Sequence, residues 1–379
     1  MEKNHFRVAT IGGGRAGPTL ANALVRESHI EIHVFESASE FSERGAAVGL
    51  GINAQMALNQ VLPSATALLE KAGAVPLNSS RLVLRRATRV RPSIELRCFR
   101  ELLAPLPQES LHPNKKLLAI KAHDGGVELT FQDKTTYQFE AVIGADGIFS
   151  SVREHVLGGG EAAKSHSASP AHSWDCRNVV PLDKAKAILG DEYLKLDRQW
   201  GWVGDGAFLM HDVLENRTMV QCVISGVEKD PTIDPKERKH SLTREGLKES
   251  LQSWLGGPVA DGMIELALDQ SDPSRYSQWE HKSKPTYAKK HVCLVGDAAH
   301  ATTPWQGAGT GLAIEDAMVL VALLAKVSSS KDIESTFRTY DEVRRSRCQQ
   351  VIDSSRETGR ILCGQSGLQA DNIRELHSV

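Results

Sequence analysis

The chain has 379 residues, of which 41% are hydrophobic and 24% charged, a mixture typical of folded globular proteins that argues against wholesale disorder. The 45 basic and 47 acidic residues leave a formal net charge of −2, so no strong field would attract nucleic acid or an anionic membrane. The longest unbroken apolar run, residues 317–325, is far shorter than the roughly 20 residues that span a bilayer, and no apolar secretory signal opens the chain. We therefore predict a cytoplasmic protein with no membrane span and no nucleic-acid partner.

The six cysteines show no spacing typical of metal ligation or of a redox pair. No two of them are closer than 15 residues in the chain, and no C-x-x-C pair occurs. A disulfide framework is also untypical of a chain of this length. We therefore predict no metal site, and we expect the cysteines to be reduced and mostly buried: Cys98, Cys176, Cys222, Cys293, Cys348 and Cys363.

The N-terminal segment has the pattern of a nucleotide-binding βαβ unit. The apolar run Phe6–Ile11 predicts a buried parallel strand, and a second predicted strand, Ile30–Phe35, ends at Glu36. Residues 12–17 between them match G-x-G-x-x-G, in which the glycines permit a tight turn, close approach of a phosphate and close helix–strand packing. The helix that follows offers its N-terminal N–H groups to a pyrophosphate. Glu36 can bind both hydroxyls of an adenosine ribose and would repel a 2′-phosphate, so this unit predicts FAD or NAD, not NADP.

A second glycine-rich segment decides between these two cofactors. A predicted buried strand, His291–Val295, leads to Asp297 at a turn, where its carboxylate can hold polyol hydroxyls. The loop that follows opens a helix predicted over Leu312–Lys326, and its backbone N–H groups suit the electron-rich edge of a flavin pyrimidine ring. An NAD-dependent dehydrogenase would leave this segment without a role, so we predict FAD. The residues of this opening are Pro304, Gly307, Gly309, Thr310 and Gly311.

The rest of the chain predicts further strands and helices around these two segments. Another buried strand covers Ala141–Gly144, and residues 155–170 are rich in Gly, Ala and Ser, which predicts an exposed linker. Three strand patterns then lie within residues 173–226. The second and third of them predict a hairpin that turns at Glu215 and Asn216. A long helix is predicted over Ile333–Leu362.

Three segments together resemble the FAD signatures of group A flavoprotein monooxygenases: GGGRAG with Glu36, GADGIFSSVR, and GDAAHATTPWQGAGTG with EDA. The resemblance covers nearly the whole chain, and fungal salicylate hydroxylase-like enzymes are the most similar group. It implies the p-hydroxybenzoate hydroxylase fold, an α/β fold. A Rossmann-like FAD-binding domain of the glutathione reductase type would be interleaved with a smaller β-sheet substrate domain and C-terminal helices. The implied boundaries are 1–75, 97–170 and 285–330 for the FAD-binding domain, 76–96 and 171–284 for the substrate domain, and 331–379 for the helical segment.

The resemblance also assigns cofactor-binding residues. Asp297 would bind the ribityl chain or the pyrophosphate, and Asp146 belongs to a middle motif that in relatives serves FAD and NAD(P)H together. Relatives carry a further FAD-contacting arginine, often within His-Arg, just before a helix that matches Glu101 to Leu106. Here either Arg97 or Arg100 can take that role. The ADP half would lie against Gly12, Gly13, Gly14, Ala16, Gly17 and Glu36; a loop beside the cofactor would contain Arg44, Ala47 and Gly49; and the isoalloxazine would lie against Gly309, Thr310 and Gly311.

The activity implied by the resemblance is hydroxylation of a phenolic or aromatic-acid small molecule by NAD(P)H and O2. In such enzymes, reduced flavin forms a C4a-hydroperoxide that transfers OH to an electron-rich carbon, and the protein binds, orients and excludes water. Arg177, on a predicted strand of the substrate domain, can pair with a carboxylate or a phenolate, and His211 can accept a phenolic proton. For each of the two, a purely structural role on the sheet is an equal alternative.

Other activities on the same fold also match the sequence. A flavoprotein of this fold could carry out epoxidation or dearomatisation in secondary metabolism. A truncated FAD-binding protein with little turnover is a third alternative, because residues 76–100 and the C-terminus are shorter than in relatives. The oligomeric state is not indicated by the sequence.

Overall fold

The computed structural model describes residues 5–42, 48–77, 79–83, 93–96, 99–257 and 259–365. In chain order the strands are β1 Phe6–Ile11, β2 Ile30–Phe35, β3 Val48–Gly51, β4 Val75–Leu77, β5 Ser79–Val83, β6 Ser93–Leu96, β7 Leu111–His112, β8 Leu117–His123, β9 Gly126–Phe131, β10 Thr136–Phe139, β11 Ala141–Gly144, β12 Ser169–Pro181, β13 Arg198–Gly204, β14 Ala207–Leu214, β15 Met219–Val227, β16 Lys239–Ser241, β17 Ser274–Glu280, β18 Ala288–Lys289 and β19 Val292–Leu294. The α-helices are α1 Ala16–Leu24, α2 Ile52–Val61, α3 Ala65–Lys71, α4 Phe99–Leu103, α5 Ser151–Val156, α6 Gly160–Ser165, α7 Leu182–Leu189, α8 Arg244–Ser250, α9 Ala260–Leu268, α10 Asp297–His300, α11 Gly309–Leu324 and α12 Ile333–Leu362.

A six-stranded sheet in the order β18-β19-β11-β1-β2-β7 forms the first half of the fold. Its inner strands pair in parallel, with Val8 opposite Ala141 on one side and Ile32 on the other. Helix α1 packs on one face of this sheet and a three-stranded sheet in the order β10-β9-β8 on the other. A sheet that is covered on both faces has mostly apolar strands, and every residue of β11 is buried. The predicted strands Phe6–Ile11, Ile30–Phe35 and Ala141–Gly144 are confirmed.

A seven-stranded, mainly antiparallel sheet in the order β16-β17-β12-β15-β14-β13-β5 forms the second half. The predicted hairpin between β14 and β15 is confirmed, since Glu215 and Asn216 both have a positive φ that closes the turn. One face of the sheet packs against α7, α8 and α9 in a separate hydrophobic core. The opposite face is directed toward the first half of the fold, where Phe208 contacts the Trp305 ring at 6.1 Å between ring centroids.

Three details differ from the expectations or refine them. Residues 155–170 were predicted as a linker, but they contain α6, an exposed helix of six residues. Helix α3, Ala65–Lys71, is an element that the sequence does not predict. Within the segment 76–96, β5 joins the seven-stranded sheet, whereas β6 pairs with β3 and β4 in a small sheet of its own. The domain boundaries themselves stay a prediction.

Burial of the cysteines agrees with the expectation wherever the structure describes them. Cys176, Cys222, Cys293, Cys348 and Cys363 are free and buried, and Cys98 lies outside the described residues. Among the helices that the structure describes, none combines the length and the apolar character that crossing a bilayer requires.

Candidate functional site

The first glycine loop joins β1 to α1, and each glycine of its motif has a separate steric role. Gly12 has φ +114°, and a side chain there would collide with the Ala145 carbonyl oxygen. A side chain at Gly17 would collide with the Gly12 carbonyl oxygen, so this glycine lets α1 pack closely on the loop. A Cβ at Gly14 would meet no atom within 4 Å. The loop is therefore tight at Gly12 and Gly17 and open at Gly14, where a phosphate would approach.

Glu36 lies beside this loop at the end of β2. Its carboxylate accepts hydrogen bonds from the Gly13 N–H at 2.8 Å and from the Ala38 N–H at 2.7 Å. The Ser37 hydroxyl also donates to it at 3.1 Å. A carboxylate offers about four acceptor positions, so these three bonds orient the group and leave about one position for a ribose hydroxyl. Gly13 needs to lack a side chain because a Cβ would come within 2.9 Å of the same carboxylate.

We call each glycine-rich loop, together with the helix N-terminus that it leads into, an opening. The first joins β1 to α1, and the second leads from β19 through α10 to α11. Gly296 has φ +56° and precedes Asp297, whose side chain reaches solvent. Pro304 begins a 3₁₀ turn, Pro304–Gln306, that ends at left-handed Gly307. Helix α11 then begins with Gly309, Thr310 and Gly311, and within the described part of the chain no side chain caps its first turn. Its N–H groups are therefore available to an electron-rich ligand edge.

The structure brings the two openings together. A Cβ built at Gly296 would lie 2.9 Å from the Ala16 side chain, which begins α1. Helix α1, like α11, has no capping side chain and no acidic residue in its first turn among the residues described. The same Cβ at Gly296 would lie 3.5 Å from the side chain of Ala313, in the first turns of α11. The N-terminal ends of α1 and α11 are therefore neighbours, the arrangement that an extended dinucleotide requires.

The middle-motif residue Asp146 has a local structural task. Its carboxylate accepts the Ser151 N–H at 2.8 Å and the Val152 N–H at 3.2 Å, and the Ser150 hydroxyl donates to it as well. These bonds cap the N-terminus of α5. Both oxygens of Asp146 thereby accept hydrogen bonds within its own turn, and its contact with a cofactor stays a prediction.

Some of the predicted cofactor residues lie at or beyond the limits of the described chain. Gly49 lies in β3, paired with Glu95 of β6. Arg44, Ala47 and Arg97 lie outside the described residues. Arg100 belongs to α4, but its side chain is not described, so the choice between Arg97 and Arg100 stays open.

Sequence reasoning missed a buried ion-pair network behind the second opening. Asp316 accepts the Gly296 N–H at 2.9 Å, pairs with His300 Nε2 at 2.6 Å and pairs with Arg344 Nε at 2.7 Å. Arg344 also binds Glu315 at 2.8 Å. Burial alone would raise the pKa of Asp316, but His300 and Arg344 lower it to about 2. Both acids of this network, Glu315 and Asp316, belong to the EDA triplet of the third signature. That triplet was the sequence feature that could have indicated them.

His300 itself is therefore part of the scaffold. Burial would lower its pKa, but Asp316 raises it to about 10, so the imidazole is charged at neutral pH. His300, Asp316 and Cys348 hold ligand-type atoms within 4.8 Å of one another. Because Arg344 and His300 already balance the Asp316 charge, this cluster is complete without a metal ion.

The two predicted substrate residues project from opposite faces of the seven-stranded sheet. Arg177 is in register with Val223, and Val223 with Met210, so Arg177 shares its face with Met210 and His211 takes the other. Arg177 is partly exposed and binds Asp175 through Nε at 2.8 Å. His211 packs edge-on to Tyr193 in the helix-covered core, where burial lowers its pKa to about 3.

These observations fit FAD. The open centre of the first loop, the acceptor at Glu36 and the two neighbouring uncapped helix N-termini provide donors for a pyrophosphate and a flavin edge and an acceptor for a ribose. Gly12 to Gly17 with Glu36 would hold the ADP half, and Asp297 with Gly309 to Gly311 the flavin half.

Comparisons with known proteins support the binding of FAD. A family model described as "FAD binding domain" matches residues 96–355. The 6-methylsalicylate 1-monooxygenase atA of Aspergillus terreus is 32% identical, over 95% of this chain and 84% of that protein. A solved salicylate hydroxylase substrate complex shares the fold, with a TM-score of 0.81 at 24% identity over 98% of this chain and 93% of that one. Klebsiella pneumoniae HpxO, solved with FAD and uric acid, has a TM-score of 0.81 at 22% identity, over 99% and 93% of the two chains.

Proposed function

The chain belongs to the family of FAD-dependent monooxygenases that carry this FAD-binding domain, and on that premise we propose that it hydroxylates a phenolic or aromatic-acid small molecule, using O2 and NADH or NADPH. As a member of this family it is an oxidoreductase that binds FAD. The substrate class, the nicotinamide co-substrate and the hydroxylation itself are the proposed part.

The pairing of the two helix openings carries this proposal. A Cβ built at Gly296 would lie 2.9 Å from the Ala16 side chain, and this closeness supports one cofactor whose ribityl side would adjoin its ADP side. Trp305 lies in the turn before α11 and contacts Phe208 of the seven-stranded sheet. This contact brings the start of α11 next to the sheet face that carries Arg177, which supports a small molecule bound on that face beside the predicted flavin.

Bound FAD would supply the redox chemistry and the activation of O2. The chain's own residues would bind the ring of the substrate, orient it and exclude water. We infer that Arg177 attracts an acidic group of the substrate, because its guanidinium is partly exposed on the proposed substrate face. A salicylate-type acid is the substrate class that the relatives' names favour.

A turnover assay tests the proposal. Purified flavin-loaded protein is mixed with NADH or NADPH and air-saturated buffer, and nicotinamide oxidation is followed with and without salicylate or 6-methylsalicylate. We expect the acid to accelerate oxidation and a product with one added oxygen atom to appear in mass spectra. A bound flavin that neither nicotinamide reduces would contradict the proposal, and so would reduction that yields hydrogen peroxide but no oxygenated product with any phenolic acid tried.

A further inference from the structure

Asp212 is a buried acid on β14 that takes no part in the predicted cofactor site. Its side chain is 0% exposed, and Gln221 Nε2 donates to its Oδ1 at 3.3 Å. Gln199 hydrogen-bonds to it from β13. Among the residues that the structure describes, Asp212 Oδ2 and Gln221 Oε1 have no hydrogen-bond partner. A buried carboxylate oxygen without a donor is costly, so this arrangement is incomplete without a further group.

Asp212 lies on the sheet face that is directed toward the flavin end of the site. Side chains alternate along β14, so Asp212 shares its face with Met210 and Phe208. Phe208 contacts Trp305, in the turn before α11. Asp212 is four residues further along the strand, about 13 Å at the rise of an extended chain. His211 projects to the opposite, helix-covered face.

The surroundings of Asp212 favour a neutral hydrogen-bond donor as its partner. Burial raises the pKa of Asp212 to about 7, against the lowering effects of the two glutamines and of Arg177. Arg177 is held by Asp175 at 2.7 Å, so it does not neutralise Asp212 directly. The neighbours on the same face, Met210 and Val223, are apolar. A carboxyl group, two carboxamides and apolar neighbours together suit a hydroxyl-bearing aromatic ring.

We propose that Asp212 determines specificity by accepting a hydrogen bond, at its free Oδ2, from a hydroxyl group of the aromatic substrate. Gln199 and Gln221 hold the carboxyl group in position for that contact. This inference rests on the proposed function, because it takes the substrate to be a hydroxylated arene bound between this sheet face and the α11 opening.

Binding of a phenol and of its methyl ether to the flavin-loaded protein tests the proposal. Changes in the flavin absorbance spectrum report the affinity for 6-methylsalicylate and for its O-methyl ether, without NADH or NADPH. At pH 8, where most of Asp212 is ionised, a hydrogen bond to its charged carboxylate should make wild type prefer the phenol by about tenfold or more. Asp212→Asn keeps a weaker, neutral acceptor, so the preference should fall to about threefold. Asp212→Val removes the acceptor, and the preference should disappear.

Asp269→Asn is the matched control. Asp269 pairs with Lys184 at 2.6 Å and is partly exposed at the end of α9, so its loss should leave the preference at the wild-type value. Equal flavin content in all variants shows that the site is intact. Should Asp212→Val not fold, the partial loss in Asp212→Asn decides the matter.

The outcomes separate this proposal from the proposed function. An unchanged preference in Asp212→Asn and Asp212→Val would overturn the role of Asp212, even in an active hydroxylase. The same holds if wild type shows no preference for the phenol, or no spectral response to it. A graded loss of preference in a protein that consumes no NADH or NADPH would support the role of Asp212 and count against hydroxylation.

Discussion

At the scale of single residues, the glycines of the G-x-G-x-x-G motif are required for different physical reasons. Gly12 and Gly17 are required by the fold, because a side chain at either would strike a carbonyl oxygen. Gly14 faces open space, so the fold alone would accept a side chain there. The requirement at position 14 comes from the ligand, whose phosphate must approach the backbone.

This difference predicts opposite results for two alanine variants. Gly12→Ala should lose more than about 1 kcal/mol of folding stability, because alanine is strained at φ +114° and meets the Ala145 carbonyl. Gly14→Ala should keep the stability of the FAD-free protein and bind FAD about tenfold more weakly, roughly 1.4 kcal/mol. Thermal unfolding without FAD and FAD titration measure the two effects. Equal FAD affinity in wild type and Gly14→Ala would show that no phosphate approaches this loop.

Asp212 should make the stability of the protein depend on pH. Its pKa rises from the usual 3.8 to about 7 on folding because it is buried. The folded state therefore binds its proton more tightly, and stability is lost as the pH rises from about 4 through 7. Asp212→Asn stays neutral, so its melting temperature should exceed that of wild type by about 2 °C or more at pH 8, and by much less at pH 5. A difference that does not change with pH would refute this explanation.

At the scale of elements, α12 is joined to the second opening through buried charges. Arg344 of α12 is 3% exposed and binds both Glu315 and Asp316 of α11, and Asp316 in turn holds the Gly296 N–H and His300. Asn53 of α2 adds a hydrogen bond to Glu315 at 2.9 Å. The conformation of the Gly296–Asp297 turn thus depends on a helix that lies about 50 residues later in the chain.

Removal of Arg344 should therefore be far more damaging than removal of its neighbour. Arg344→Met takes the guanidinium away from buried Asp316 and leaves Glu315 paired with Arg347, so it should cost about 3–5 kcal/mol of folding stability. The Arg345 side chain is 39% exposed and pairs with Asp341 within α12, so Arg345→Met should cost less than about 1 kcal/mol. Chemical denaturation of both variants gives the comparison. Similar losses in the two variants would mean that the buried network does not stabilise the fold.

At the scale of the whole molecule, two sheets with separate hydrophobic cores meet at the proposed site. Contacts such as Phe208 with Trp305 connect them beside the α11 opening. A ligand that binds both helix openings would bind the folded chain and not the unfolded one, so it would stabilise the molecule by mass action.

FAD should accordingly bind with one molecule per chain and raise the melting temperature. At a free concentration of about 100 times Kd, the expected gain in free energy is about 2.7 kcal/mol. Calorimetric titration gives the stoichiometry, and thermal scans at increasing FAD give the shift. AMP, which matches only the first opening, is the control and should bind more weakly. Two FAD molecules per chain would mean that the openings serve different ligands.

The sequence by itself determined the parts of this protein that depend on neighbours along the chain. The apolar runs, the glycine spacing and the acid after β2 are local patterns, and they were enough to predict the parallel strands, the cofactor and the long helices. The three family signatures predict the fold and the activity as well, because they occur together in a fixed order along the chain.

Tertiary structure decided which face each side chain of the second sheet occupies and which charges meet. His211 and Asp212 are adjacent in the chain, yet they project to opposite faces, because a one-residue step along a strand reverses the side-chain direction. Arg344 pairs with Asp316, which lies 28 residues earlier in the chain. No local sequence pattern predicts that pairing. Burial then sets the protonation of these groups, since desolvation depends on what packs around a residue in space and not on its neighbours in sequence.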